Sequence, residues 1–361
     1  MALWIARLKV TLERGMFNDN AACMAVGHKL YCFGGANSED GIIVRVFDTV
    51  SLSWTRPRVT ASPGADIPRL RSYAQAVLIG HTVYLWGGYR PRLAPHYPNE
   101  LYAFDVDTHV WFKPEVSGSA PQGRYMHSAC ALDEVMYIHG GRVPTPTFGV
   151  YYESCDVYAL NTSTMAWFPI TAKGPAALDD GPSRATIMGT KMVVLSWDGV
   201  RVFDTTTNLW NISSGSVPKM GHHSPFVYSG ELYVFGQSVG NREWNGFEYL
   251  WKFNPKTNCT CPWHQTCPWQ RVTTKGIKRP RYRTPQSFLV RDRVVLFGSD
   301  SVSGPLDVFV LDLSPSLKTL SKVAVIRHGL PWLELPRELR RELAAMTADG
   351  ESAESSPALR A

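Results

Sequence analysis

The run "GHKLYCFGG" at 27–35 returns as "GHTVYLWGG" at 80–88 and as "DEVMYIHGG" at 133–141, in steps of 53 residues. Each copy is an apolar, strand-forming run that ends in a glycine pair. Weaker copies follow as "GTKMVVLSW" (189–197), "SGELYVFGQ" (229–237) and "RDRVVLFGS" (291–299). Downstream of each lies a second strand, a turn and a tryptophan, as in "VRVFDTVSLSW" (44–54), "LYAFDVDTHVW" (101–111), "DVYALNTSTMAW" (156–167) and "VRVFDTTTNLW" (200–210). The fifth copy, "YLWKFNPKTN" (249–258), reaches its tryptophan only at Trp269. The sixth, "LDVFVLDLSPSL" (306–317), reaches none.

The spacing supplies the missing one. Trp54 to Gly88, Trp111 to Gly141 and Trp269 to Ser299 each span about 30 residues, and Trp4 stands the same distance before Gly35. Residues 3–12, where Leu8, Val10 and Leu12 alternate with Arg7, Lys9 and Thr11, then form the fourth strand of the last blade and pair with 306–313. A period near 50 residues with four strands per unit specifies a β-propeller. The expected fold is all-β: six blades closed by the N-terminal strand over residues 1–313, similar to kelch repeats. Glycines and tryptophans at repeat positions carry architecture, letting backbones crowd and packing blade on blade.

Composition agrees with this reading. Aromatic residues are abundant (12 Trp, 15 Tyr, 15 Phe), as are Gly (29) and Pro (25), a mixture suited to many short strands joined by turns. A net charge of +6 is mild and not concentrated in long runs, which gives no reason to expect nucleic acid. Seven cysteines without a signal-peptide pattern point to a reducing compartment, so a cytoplasmic or nuclear location is expected and the sequons at Asn161, Asn211 and Asn258 read as chance matches. No apolar run approaches the roughly 20 residues of a membrane helix.

In a propeller, ligands meet the loops at the rim of the channel. Two loop sets share one side: those after the glycine pairs and those leading into each first strand. They supply Arg71, Tyr73, Arg90, Arg92, Arg124, Tyr125, His127, Arg142, His223, Ser224 and Arg283. Arginine with tyrosine and serine suits a carboxylate, because guanidinium forks bind it bidentately. The alternative is that these arginines pair with neighbouring loops. Blade four differs: "VVLSW" and "VRVFD" are joined by Asp198-Gly199, a two-residue hairpin signal that leaves no reaching loop.

Catalysis is not expected. Acidic residues fall mostly at strand ends, where they cap turns. The insertion "NCTCPWHQTCPW" (258–269) spaces Cys259, Cys261, His264 and Cys267 as zinc ligands can be spaced, or is simply a reduced loop; no cofactor is assigned.

After Leu313 the pattern becomes helical. Ser314 fits an N-cap and Pro315 the first helical position, with Leu317, Leu320, Ala324 and Val325 on one stripe. A second helix starts at Pro336 and aligns Leu339, Leu343 and Met346; residues 347–361 are small and polar, as in disordered tails. The pair either lies on the propeller flank or docks a partner.

Here the chain resembles the kelch-repeat substrate receptors of cullin-2 RING ubiquitin ligases. "SLKTLSKVAV" (316–325) looks like their elongin-binding box, with Leu317 and Val325 matching and Ser321 standing where the family has cysteine. "LPRELRREL" (335–343) is similar to the cullin-2 box. The resemblance implies a non-catalytic receptor that binds elongin B, elongin C and cullin-2 through Leu317, Leu320, Ser321, Val325, Leu335, Pro336, Leu339 and Leu343. Its substrates would be proteins ending in glycine. The basic loop that the family carries in blade four is absent, and "MGHHSP" before blade five lacks the family's arginines. The second reading is a kelch scaffold, cytoskeletal or chromatin-associated, without ligase activity.

Overall fold

A computed structural model describes residues 2–10, 21–34, 41–90, 95–147, 149–175, 185–196, 199–213, 225–236, 249–253, 269–276, 286–298, 306–332 and 334–347. Six antiparallel sheets of four strands follow one another around an axis. Blade two shows the pattern: Gln75–Ile79 lines the axis, followed outward by Thr82–Trp86, Tyr102–Asp105 and Val110–Phe112. Second strands pack against neighbouring blades on both faces, so they lack polar alternation; Val83, Tyr84, Leu85 and Trp86 are all buried.

The ring closes on the first strand. Ala2–Val10 pairs antiparallel with Leu306–Asp312, with Trp4 opposite Leu311 and an irregularity between Trp4 and Ala6 that re-aims the strand. Outer edges also gain short parallel strands that the repeat pattern does not announce: Thr60–Ala61 on blade two, Ser117–Gly118 on blade three and Thr274–Gly276 on blade six. In blade four, Ser196 pairs with Gly199, so Gly199 belongs to the strand and not to the turn; Asp198 lies outside the described residues.

The repeated tryptophans lock blade to blade. Five of the six pack against the residue that precedes the glycine position of the previous blade: Trp111 on Phe33, Trp167 on Trp86, Trp210 on His139, Trp4 on Phe235 and Trp54 on Phe297. The turns before them share a device. Asp48, Asp105 and Asp204 each accept two backbone N–H groups through Oδ1, and Leu52, His109, Met165 and Asn208, two residues before their tryptophans, take positive φ.

Two helices follow, α1 (Leu317–Arg327) and α2 (Arg337–Thr347). The N-cap is Ser316, whose hydroxyl accepts from the Thr319 N–H, two residues beyond the Ser314 suggested by the proline; Ser314 instead turns on Asp312. The flank is genuine packing, since Val323 and Met346 are buried against blades six and one. Among the described residues no helix is long and apolar enough to cross a membrane.

Candidate functional site

The two loop sets do meet on one side in blades two and three, where Ser72 bridges Tyr89 and Tyr125 bridges Arg142. Their buried arginines are inward clamps. Arg124 donates Nε to the Gln122 carbonyl and Nη1 to the Gly140 carbonyl, and grips the Asp156 carboxylate with both Nη1 and Nη2. Arg71 repeats the arrangement with the carbonyls of Arg69 and Gly87. Both are 3% exposed or less. Arg90, also buried, donates to the Pro95 carbonyl and to Glu100. These placements correct the reading of Arg71, Arg90 and Arg124 as ligand-facing groups: burial without a partner would cost several kcal/mol, and each has taken its partners from its own loops. Burial, and then the charge of Arg90, push the Arg71 guanidinium down to about 10.

His127 is sealed as well. Gly87, at φ +71°, lies so close that a Cβ there would sit 2.6 Å from the imidazole Cε1. Burial, helped by the Arg124 charge, holds its pKa down at about 3, so the ring is neutral.

What the rim does present is tyrosine. Tyr125 lies 5.8 Å from Tyr73, 5.7 Å from Tyr89, 5.6 Å from Tyr97 and 6.1 Å from Tyr151, measured between ring centres. Arg142 joins this cluster, its guanidinium 4.7 Å from the Tyr151 ring centre and paired with Glu153 at 3.3 Å. Burial lowers the Arg142 pKa, but the Tyr125 hydrogen bond and the nearby tyrosines and Glu153 outweigh it. Tyr73 holds its ring there at φ +58°, an uncommon conformation for a bulky residue. Tyr73, Tyr125 and Arg142 were legible as rim residues. Tyr89, Tyr97 and Tyr151 complete the cluster from the stretches "GGYRPRLAPHYP" and "FGVYYE", whose aromatic content is their signal in the sequence. Half-exposed tyrosines beside an arginine give this rim a surface that is apolar in the rings and polar at the tips, the composition enriched at protein interfaces.

A cavity of about 380 Å³ runs between the first strands of all six blades, lined by residues such as Met24, Val77, Ile187, Val227 and Phe288, with no charged side chain among the described residues. His223, Ser224, Arg283 and Arg92 lie outside the described residues, as do Cys259, Cys261, His264 and Cys267. No group of three metal-ligating side chains occurs among the described residues.

The helices divide their apolar residues. On α1, Leu317 is 83% exposed, Ser321 and Ala324 are exposed beside it, and Leu320 and Val323 turn to the propeller. This breaks the expected stripe, since Val323 and not Ala324 faces inward. The Ser321 hydroxyl donates to the Leu317 carbonyl at 2.9 Å, which satisfies it without a partner. Val325 and Leu335 are half-buried and Pro336 exposed. On α2, Leu339 is half-buried and Leu343 is 1% exposed, so Leu343 is not available to a partner. Lys318 and Lys322 both pair with Glu342 and tie the helices together.

Comparison with known proteins agrees with this architecture. Residues 20–199 match the KLHDC2/KLHL20/DRC7 Kelch-repeats domain. Human Kelch domain-containing protein 3 is 39% identical over 393 residues, covering 95% of this chain and 96% of that protein, and the rat protein of the same name is 38% identical. Human Rab9 effector protein with kelch motifs is 32% identical over 115 residues, 31% of this chain and 30% of its own. With that identity across nearly the whole of both chains, and six blades closed by the first strand, the chain belongs to the kelch-repeat family that includes Kelch domain-containing protein 3.

Proposed function

We propose that this propeller is the substrate-recognition subunit of a cullin-2 RING ubiquitin ligase, cytoplasmic or nuclear, docked on elongin B and C through α1. Proteins ending in glycine are its substrates, held at the rim. The observation that carries the reading is Leu317: a leucine 83% exposed at the head of a helix whose Leu320, Val323 and Ile326 are packed on the propeller. An isolated apolar anchor of this kind gains by entering a partner's groove. Ser321 lies one turn on, its hydroxyl already satisfied, so its burial under a partner carries little desolvation cost. Cullin-2 would be reached through Leu335, Pro336 and the outer face of α2, because Leu343 is closed off. Catalysis would belong to the partners.

The test is co-precipitation of elongin C with the wild-type chain, Leu317→Ala and Ser321→Cys. Removing a leucine from an interface is worth roughly 1.5–3 kcal/mol, so Leu317→Ala should cut capture about tenfold or more. Ser321→Cys should equal or exceed wild type. Equal recovery with wild type and Leu317→Ala, or none with any chain, would leave the interaction scaffold as the better reading.

A further inference from the structure

We propose that the outer edge of the Tyr151–Glu153 strand receives an extended stretch of the substrate chain, main chain to main chain, upstream of its terminal residue. The inference rests on the receptor reading above and specifies how the rim reads a substrate.

The hairpin of Arg142–Pro144 and Tyr151–Glu153 forms a sheet of its own, outside the six blades. Its inner edge is occupied: Arg142 exchanges both backbone hydrogen bonds with Tyr125. The parity of the hairpin follows from its ends, where Thr145 N–H donates to the Val150 carbonyl and Ser154 N–H to the Gly141 carbonyl. Antiparallel pairs alternate between bonded and non-bonded, so the Tyr152–Val143 pair is bonded across the hairpin. The peptide groups of Tyr151 and Glu153 therefore point away from it. Among the described residues no strand pairs with that edge. Val150, Tyr151 and Tyr152 are 50%, 40% and 52% exposed, so the edge is open to an incoming chain.

The same parity selects the side chains of the occupant. Arg142, Tyr151 and Glu153 share one face of the hairpin, and that face continues into the tyrosine cluster through Tyr125. Arg142 and Glu153 neutralise each other, so a charged side chain on an added strand meets no unpaired opposite charge there. Ring faces favour apolar, β-branched or aromatic side chains. The occupant is an uncharged extended peptide, recognised by strand addition, with alternate side chains laid on the tyrosines.

The experiment uses the full chain and a fluorescein-labelled peptide of alternating valine and threonine ending in glycine, read by fluorescence polarisation. N-methyl groups are walked along the peptide one residue at a time. An added strand directs every second N–H to the edge, so methylation at one parity should weaken binding about fivefold or more, and at the other leave it unchanged. Tyr151→Ala should weaken binding to a similar degree, and Tyr152→Ala, on the opposite face, much less. Binding without a parity pattern, or untouched by Tyr151→Ala, overturns strand addition and leaves the receptor reading intact. Failure of the unmodified peptide to bind overturns the rim as substrate site, and this inference with it.

Discussion

Blades two and three build the same clamp with carboxylates of different length. In each, an arginine reaches the first glycine carbonyl of its blade and lies over a tyrosine, Arg71 on Tyr102 and Arg124 on Tyr158. In each, the acid sits two residues before that tyrosine. Asp156 serves Arg124 alone, through two hydrogen bonds. Glu100, one methylene longer, stands 3.9 Å from Arg71 while pairing with Arg90 at 3.3 Å and Lys113 at 3.0 Å. One carboxylate is thus divided among three cations. The difference teaches that a residue recurring at the repeat period holds the ring together. Residues that break the period build the tyrosine cluster of the rim instead: Tyr125 where blade two has Ser72, Tyr89 where blade three has Arg142.

The sharpest way to break this comparison is to remove each arginine. Arg124→Ala takes away a bidentate ion pair and two carbonyl contacts from a buried position and should cost about 3–5 kcal/mol of stability. Arg71→Ala loses the carbonyl contacts but only a long ion pair, and should cost about 1–3 kcal/mol. Urea unfolding of both variants measures the gap. Equal costs would mean that carboxylate length does not matter and that the two clamps are energetically alike.

The architecture was legible because its signals repeat. Six glycine positions and six tryptophans can be aligned against one another, which is how Trp4 declares its partner near residue 310 although they lie at opposite ends of the propeller. The site was legible only in part. Arginines in rim loops look alike in sequence whether they face a ligand or a buried carbonyl, and the acids that claim Arg124 and Arg71 lie 32 and 29 residues downstream, across a whole hairpin. The tyrosines come from four separate segments and reveal a cluster only when folded. On α1, the apolar residues 320, 323, 324 and 325 leave two possible inward faces, and packing on blades six and one selects Val323.

Acid should separate the two blades next. Blade three carries His127 and His139 where blade two has Ala74 and Trp86 at the same repeat positions. Burial, with Arg124 opposing protonation of both, holds His127 at about 3; His139, against Trp210, is held at about 4 mainly by burial, although its bond to Asp156 raises it. Unfolded, each titrates near 6.5, so between about 4 and 6.5 the unfolded chain binds more protons than the folded one. The stabilisation is complete above that window and is lost as pH falls through it, by on the order of 3 kcal/mol per histidine. His139→Trp, which copies blade two, should flatten the fall of stability measured from pH 7 to pH 4. An unchanged slope would mean that the acid response lies elsewhere in the ring.

The smallest expected effect tests the sharing at Glu100. Lys113 is 43% exposed and holds Glu100 Oε1 at 3.0 Å, while Arg71, fully enclosed, has the other oxygen only at long range. An exposed ion pair is worth about 0–1 kcal/mol and weakens with salt. Lys113→Gln therefore loses little directly, and it releases a carboxylate that can swing toward Arg71, where low polarity makes the same approach count for more. The two changes oppose one another, and the urea midpoint should move by less than about 0.5 kcal/mol equivalent, with less salt dependence than wild type. Glu100→Gln, in contrast, leaves Arg71 enclosed without its anion and should cost about 1–3 kcal/mol. If Lys113→Gln proves as costly as Glu100→Gln, the lysine belongs to the clamp itself, and blade two holds its glycine pair by a surface network where blade three uses one buried pair.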